Sequence, residues 1–348
     1  MAIKTRTGSE SQILSVGAYR PKRVVPNSEI VDRIESSDEW IQQRTGIQTR
    51  RFADESESLL DMAIWAAEDA LKNAKLTIGD IDTVIVATIT FPFQAPSAAT
   101  ALLQRLGNPK AAAFDINAAC AGFCYAVSMA HDFVKAGTSK KVLVIGAEKI
   151  SDFTDPSDRA TAFIFADGAG AVIIGESSEP GIGPVEWGSD ADSRDAIQMN
   201  PSWIEVRNTE TQLTKADVKW PNISQEGQKV FRWAVFSMSK AALKALDAAG
   251  LTVNDIDAFI PHQANVRIIE TMAKEMDMPE RVIIADDIRT NGNTSAASIP
   301  LAMDALLKQH PELHGKIALL IGYGAGLVYA GQVIKLPPKT INFSTKTA

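Results

Sequence analysis

The stretch DINAACAGFCY, residues 115–125, sets Cys120 among alanines and a glycine, where an apolar run hands over to a helical pattern. A thiol at a strand-to-helix turn lies beside unpaired backbone N–H groups and the positive end of the helix, which favours the nucleophilic thiolate. Ala118, Ala119, Ala121 and Gly122 permit a tight turn and leave space above the sulfur. The competing reading is an inert core thiol, the commoner fate of a cysteine. That second reading is the one adopted for Cys124, one turn into the helix.

A nucleophilic cysteine needs partners, and the chain has four histidines. His262 ends the apolar run DAFIPH and precedes the helical pattern QANVRIIETMAKEM. Active-site residues of sheet folds collect at such carboxyl ends of strands. His131 falls late in the helix after Cys120 and reads as a solvated-face residue. His310 and His314 flank Pro311 in KQHPELHG, a surface turn rather than a metal pair. Asn293, in RTNGNTSAASIP, offers an amide donor, with a simple helix cap as the alternative. Glycines in GYGAGLVYAG, residues 322–331, let the backbone approach a ligand, though a plain hairpin needs glycine too. FADGAGAVII joins two strands rather than a strand and a helix, so it is not a nucleotide loop. No P-loop, CxxC pair or metal-ligand cluster occurs. The 142 residues from Cys120 to His262 match papain-like spacing, but CAGFC lacks that group's signature.

The elements that must carry these residues occur twice. LTIGDIDTVIVAT from Leu76 and LTVNDIDAFIPHQ from Leu251 are 175 residues apart, and each follows an alanine-rich helical pattern. KVLVIGAE and KIALLIGYG repeat at nearly that offset, as do NAACAGFCYAVSMA and NTSAASIPLAMDA. Val/Ile-rich runs between helical stretches predict buried strands with crossover helices. The expected architecture is two α/β halves, residues 12–181 and 183–336, packed face to face about a pseudo-twofold axis. The duplication brings the strand ends carrying Cys120, His262 and Asn293 toward one place, with His262 standing where the first half has Ala87. Residues 187–227 are polar, contain Trp187, Trp203 and Trp220, and read as a long loop acting as a lid. Residues 337–348 are expected to be a disordered tail.

Composition bounds the partners. The 348 residues are 45% hydrophobic and 22% charged, values of an ordinary globular protein. A net charge of -7 disfavours nucleic acid and anionic membrane. No apolar run reaches the ~18 residues of a membrane span, and the N-terminus lacks a signal-peptide core. With only two cysteines, four apart, a reduced cytoplasmic chain is expected.

Five spaced motifs, SDEWIQQRTGI (37–47), AACAGF (118–123), DRATAFIFADGAGAV (158–172), PHQAN (261–265) and GNTSAAS (292–298), carry a further signal. Over roughly residues 13–336 the chain closely resembles the 3-oxoacyl-acyl-carrier-protein synthase III family. The resemblance implies the thiolase fold, layered αβαβα, in a homodimer. It implies a chain-initiating decarboxylative condensation in which acyl-coenzyme A acylates Cys120 and malonyl-acyl-carrier protein then supplies the carbanion. His262 and Asn293 would stabilise the enolate, and backbone N–H groups of Cys120 and Gly326 the tetrahedral oxyanion. The family's all-glycine turn reads GAG here, with Ala325 in the middle. Trp40 and Arg159 match the pair around the adenine of coenzyme A, Arg44 a phosphate contact, and Asn265 the pantetheine tunnel. Arg232, Arg267 and Lys274 match the basic patch that meets the carrier protein, with Glu275 where relatives often carry lysine. Ala95, just before PSAA, stands where acetyl-preferring relatives have phenylalanine closing the partner's pocket. Its small side chain implies branched or medium primers, each buried methylene contributing ~0.8 kcal/mol. No resident cofactor or metal is implied, since acyl-coenzyme A is a substrate. The alternatives are a thiolase-fold acyltransferase without condensation, which would have no need of Asn293, and a condensing enzyme of a secondary-metabolite pathway.

Overall fold

The computed structural model describes residues 6–210 and 219–340. The chain opens with β1 (Glu10–Tyr19), then β2 (Arg23–Pro26), α1 (Asp38–Thr45) and β3 (Thr49–Phe52), the last two strands forming a small antiparallel ribbon. α2 (Leu59–Ala74), β4 (Thr83–Ala87), α3 (Ala98–Leu106), β5 (Ala112–Ile116), α4 (Gly122–Lys135), β6 (Lys141–Glu148) and β7 (Gly168–Ser177) complete the first half. The second half runs through β8 (Glu186–Ser189), β9 (Ile197–Asn200), α5 (Trp203–Glu210), β10 (Asn222–Gln225), α6 (Gly227–Ala248) and β11 (Ala258–Pro261). It ends with α7 (Val266–Glu275), β12 (Ile283–Ile284), α8 (Ile288–Asn291), α9 (Ser298–Gln309), β13 (Ile317–Gly324) and β14 (Val328–Lys335).

Two five-stranded sheets have matching orders, β1-β7-β6-β4-β5 and β8-β14-β13-β11-β12. In each, the first three strands pair antiparallel and the last three parallel. The repeats in the sequence therefore map strand onto strand. α4 and α9 lie between the sheets, where Val127, Ala130, Ile299 and Met303 share one apolar cluster with residues of both. α2 and α3 cover the outer face of the first sheet, and α6 and α7 that of the second. This is the five-layered thiolase fold.

Local chemistry accounts for the pieces. Ser58 caps α2 in a capping box with Asp61, and Leu59, Met62, Ala63, Ala66, Ala67 and Ala70 give it a buried stripe at helical spacing. The strand TVIVA of β4 is buried at every position because helices cover both of its faces.

One expectation is corrected. The 187–227 stretch, read as a loop, begins within β8, the edge strand that pairs with β14. Its partner lies about 140 residues away, so no local periodicity announces it. The same stretch also contains β9 and β10, paired antiparallel, and α5. Of the expected tail, Pro337 is tied down, its carbonyl accepting from Gly315 N–H and lying 2.8 Å from His314 Nδ1. Residues 341–348 lie outside the described residues. Among the described residues no helix is long and apolar enough to cross a membrane.

Candidate active site

Past Ile116 the chain makes a single 3₁₀ turn, Ala119–Ala121, before entering α4. Ala119 there adopts φ +45, a conformation that small side chains tolerate best. Cys120 is thereby set at the amino end of α4, half-buried, while Cys124 is fully buried in the core. Gly324, the last residue of β13, lies against it: a Cβ there would stand 2.8 Å from both Cys120 Cβ and Cys120 N. Only glycine fits this approach.

His262 follows β11 and is 2% exposed. Its Nδ1 lies 2.7 Å from Ser298 Oγ, at the first turn of α9, and its ring meets Tyr323 edge-on at 5.2 Å. Ser298 Oγ also accepts from Gln263 N–H at 3.3 Å. With the serine hydrogen given to Nδ1, the neutral ring carries its proton on Nε2 and can donate from there. Burial pushes the His262 pKa down to about 3, so the ring is a neutral donor throughout the physiological range.

Asn293 is held by both halves. Its backbone N–H donates to Ile164 O and its carbonyl accepts from Ala166 N–H, at 3.0 and 2.9 Å. Its Oδ1 accepts from Ser295 N–H at 2.8 Å, which leaves Nδ2 as the outward donor. The segment around Ile164 belongs to the DRATAFIFADGAGAV motif, whose service to the site is thus to grip the Asn293 loop.

Burial pushes the Cys120 thiol up to about 12, opposed by a hydrogen bond with Ser295 and reinforced by the charge of Glu148. The amino end of α4 acts in the opposite direction, toward thiolate. Glu148 ends β6, is fully buried, and is pushed up to about 7 by desolvation.

Cys120, His262 and Asn293 line one cavity of about 560 Å³, together with Ile89, Phe165 and Tyr323. Ile197, Ile223 and Gln225 bring β9 and β10 into its wall. Toward solvent, Arg159 lies over the Trp40 ring at 5.2 Å and Arg44 at 5.5 Å. Asn265 also lines the cavity; it caps α7 through Arg267 N–H and donates to Arg44 O at 3.0 Å. Arg232 and Arg267 line the same cavity and are exposed, Arg267 stacking on Phe231 at 5.3 Å. Lys274 is exposed two turns further along α7, outside the lining. Gly324 and Ala325 line the cavity beside Cys120, whereas Gly326 (φ +77) completes their turn off the lining. Ala95 is exposed and lies outside the cavity of its own chain.

Sequence reasoning passed over Ser295, Ser298, Glu148 and Tyr323, and met Gly324 only among the glycines of GYGAGLVYAG. Both serines stand in the quoted GNTSAAS motif. Glu148 had a signal of its own, a carboxylate ending an otherwise apolar strand, in register with Gly324 of the repeat.

Two family models match the chain. One is described as 3-oxoacyl-[acyl-carrier-protein (ACP)] synthase III, over residues 114–191. The other is its C-terminal part, over residues 246–336. A beta-ketoacyl-[acyl-carrier-protein] synthase III from Streptomyces coelicolor is 53% identical, the alignment covering 94% of this chain and 96% of that protein. One from Mycobacteroides abscessus is 50% identical over 94% and 95%. Among solved structures, the priming beta-ketosynthase of the R1128 polyketide pathway superposes with TM-score 0.93 at 42% identity, covering 98% and 100% of the two chains. The 3-oxoacyl-[acyl-carrier-protein] synthase III of Aquifex aeolicus gives TM-score 0.84 at 35% identity, covering 93% and 99%.

Proposed function

This chain belongs to the 3-oxoacyl-[acyl-carrier-protein] synthase III family, an acyltransferase of the initiating condensation in fatty-acid synthesis, and from that premise we propose how its residues divide the work. Cys120 takes the acyl group from acyl-coenzyme A. Its sulfur bonds to the thioester carbon, the carbon–sulfur bond to coenzyme A breaks, and coenzyme A leaves as the thiol. The oxyanion of that step draws on the backbone N–H of Cys120 and on the 324–326 turn, with Gly326 as the second donor expected from the motif.

Malonyl-acyl-carrier protein then enters. As carbon dioxide leaves, the electron pair falls onto the thioester oxygen, where Nε2–H of His262 and Nδ2–H of Asn293 donate. The carbanion carbon attacks acyl-Cys120, the new carbon–carbon bond forms, and Cys120 leaves as thiolate. The observation that carries this reading is the convergence of one thiol, one neutral imidazole and one outward amide on a single cavity.

The coenzyme and carrier contacts follow the same logic. Adenine stacks between Trp40 and Arg159 once the guanidinium lifts from the ring, with Arg44 at a phosphate and Asn265 along the pantetheine. Arg232, Arg267 and Lys274 form a cationic rim for the acidic carrier protein. No step calls for a resident cofactor, because the thioesters supply both activated groups. Two free thiols suit a reduced, cytoplasmic setting.

The homodimer is supported by β5, which pairs on one side only, with β4, and leaves an open edge for a second copy. Beside it the loop bearing Ala95 is exposed and carries Phe93, 64% exposed. The two domains are read as residues 12–181, with the nucleophile, and 183–336, with His262 and Asn293. A polyketide-priming role, favoured by the likeness to the R1128 enzyme, uses the same residues and differs in primer and carrier.

The test separates the half-reactions. Cys120→Ser should abolish acyl-enzyme formation, read by intact mass. His262→Ala and Asn293→Ala should still be acylated yet release little carbon dioxide from malonyl-carrier protein, each missing donor costing ~3 kcal/mol. Condensation at the wild-type rate in Asn293→Ala overturns the enolate assignment.

A further inference from the structure

α6 turns two large apolar side chains outward. Its buried stripe, from Ala234 and Val235 through Met238 and Ala242 to Leu246, packs on the second sheet. The opposite face of such a helix is ordinarily polar. Here it carries Phe236, 62% exposed, and Leu243, 41% exposed. Seven residues apart, two turns, they lie on one line along the helix. A single exposed apolar residue is commonplace on a protein surface. These two share their line with cations: Arg232 and Lys240 stand one turn before and after Phe236, and Lys244 follows Leu243, all three exposed. Lys244 lies 3.6 Å from Glu186, while Arg232 and Lys240 make no ion pair among the described residues. Asp247 bounds the line at its far end.

The line begins at the cavity. Arg232 lines the cavity that holds Cys120, as does Arg267 of α7, which stacks on Phe231 at 5.3 Å. From Arg232 to Lys244 the axis of α6 runs ~18 Å, a length that one helix of a partner can follow. The edge left open by β5 belongs to the first sheet, whereas α6 covers the outer face of the second. Two copies pairing edge to edge through β5 therefore do not draw on this face.

We propose that the outward face of α6 is the docking strip for the malonyl-carrying protein, with Phe236 as its apolar anchor, a proposal that rests on the extender arriving on an acidic carrier protein. Arg232, Lys240 and Lys244 call for carboxylates, and Phe236 and Leu243 between them call for apolar side chains. The complementary surface is an acidic helix with an exposed apolar face. A second copy of this chain fits poorly, because a twofold contact through the strip sets cations against cations. Exposed ion pairs contribute little energy in water, so the cations steer the encounter and fix its register. Phe236 supplies the hold, since binding energy concentrates on an aromatic ring desolvated inside a polar rim. A carrier seated on the strip has the cavity at its Arg232 end, where the thioester arm enters.

The test uses the full-length enzyme and the variants Phe236→Ser, Leu243→Ser and Lys240→Glu, three positions that are exposed and do not line the cavity. Phe236→Ser should raise KM for malonyl-acyl-carrier protein about tenfold, and Leu243→Ser about threefold, with kcat little changed. Acylation of Cys120 by acetyl-coenzyme A, which needs no carrier, should keep its wild-type rate in all three. The Lys240→Glu loss should fade at high salt and the Phe236→Ser loss persist, because salt screens charge and not apolar contact. Circular dichroism and sedimentation check that each variant keeps its fold and assembly. An unchanged KM in Phe236→Ser overturns the strip. So does a Phe236→Ser enzyme that sediments as a smaller particle than the wild type, which would make this face a contact between copies. A wild-type enzyme that is acylated by acetyl-coenzyme A yet releases no carbon dioxide from malonyl-acyl-carrier protein would instead remove the reading beneath it.

Discussion

The imidazole of His262 has no carboxylate partner; its Nδ1 meets a hydroxyl and its ring an aromatic edge. With nothing to stabilise a positive charge, burial alone decides its state. A histidine lowered from 6.5 to about 3 stays neutral until the pH falls through 3, so its donor function is intact at every higher pH. Carbon dioxide release from malonyl-carrier protein should therefore show no acid limb near pH 6.5 that His262→Gln removes. A measured limb there, lost in His262→Gln, would mean that the ring ionises in the working enzyme.

At the scale of elements, the start of α7 is tied to the end of α1 by one side chain. Asn265 caps α7 through Oδ1 and donates from Nδ2 to Arg44 O. α1 carries Trp40 and Arg44, so this amide sets the spacing between the proposed coenzyme rim and the helix bearing Arg267. Asn265→Ala should cost about 1 kcal/mol in urea unfolding through the lost cap. Asn265→Asp keeps the cap acceptor but loses the donor to Arg44. It should unfold close to wild type while KM for acyl-coenzyme A rises severalfold. Equal KM for wild type and Asn265→Asp would show that the inter-helix bond does not position the rim.

At the scale of the whole molecule the question is the acyl primer. Ala95 lies outside its own cavity, exposed beside the open edge of the first sheet, so any effect on chain length must act in a second copy. Ala95→Phe should lower kcat/KM for hexanoyl-coenzyme A most, isobutyryl less and acetyl least, since a phenyl ring fills room worth ~0.8 kcal/mol per methylene. Mixed dimers of Ala95→Phe with Cys120→Ser chains extend the test. There the ring should restrict the partner's sites, which lack the nucleophile, and leave the surviving nucleophile with the broad wild-type range. A uniform effect on all three primers would detach Ala95 from the pocket.

Much was legible before any coordinates. The repeated strings at an offset near 175 announced two matching halves, because a buried parallel strand must be apolar throughout and its flanking helices striped. The strand-to-helix turn at Cys120 and the strand end at His262 were local features of the same kind. What sequence left open was every relation between distant segments. β8 joins the second sheet through a partner about 140 residues on, and so was read as loop. Glu148 meets Ser295 across 147 positions, and His262 meets Ser298 across 36. Such contacts leave no period in the chain, since they arise only when two sheets close on the central helices. Burial then set the charges: the same closure that excludes water lowers His262, raises Cys120 and leaves a carboxylate facing uncharged donors. Residue identities name the groups available for chemistry, whereas the packed layers decide their protonation and what each can reach.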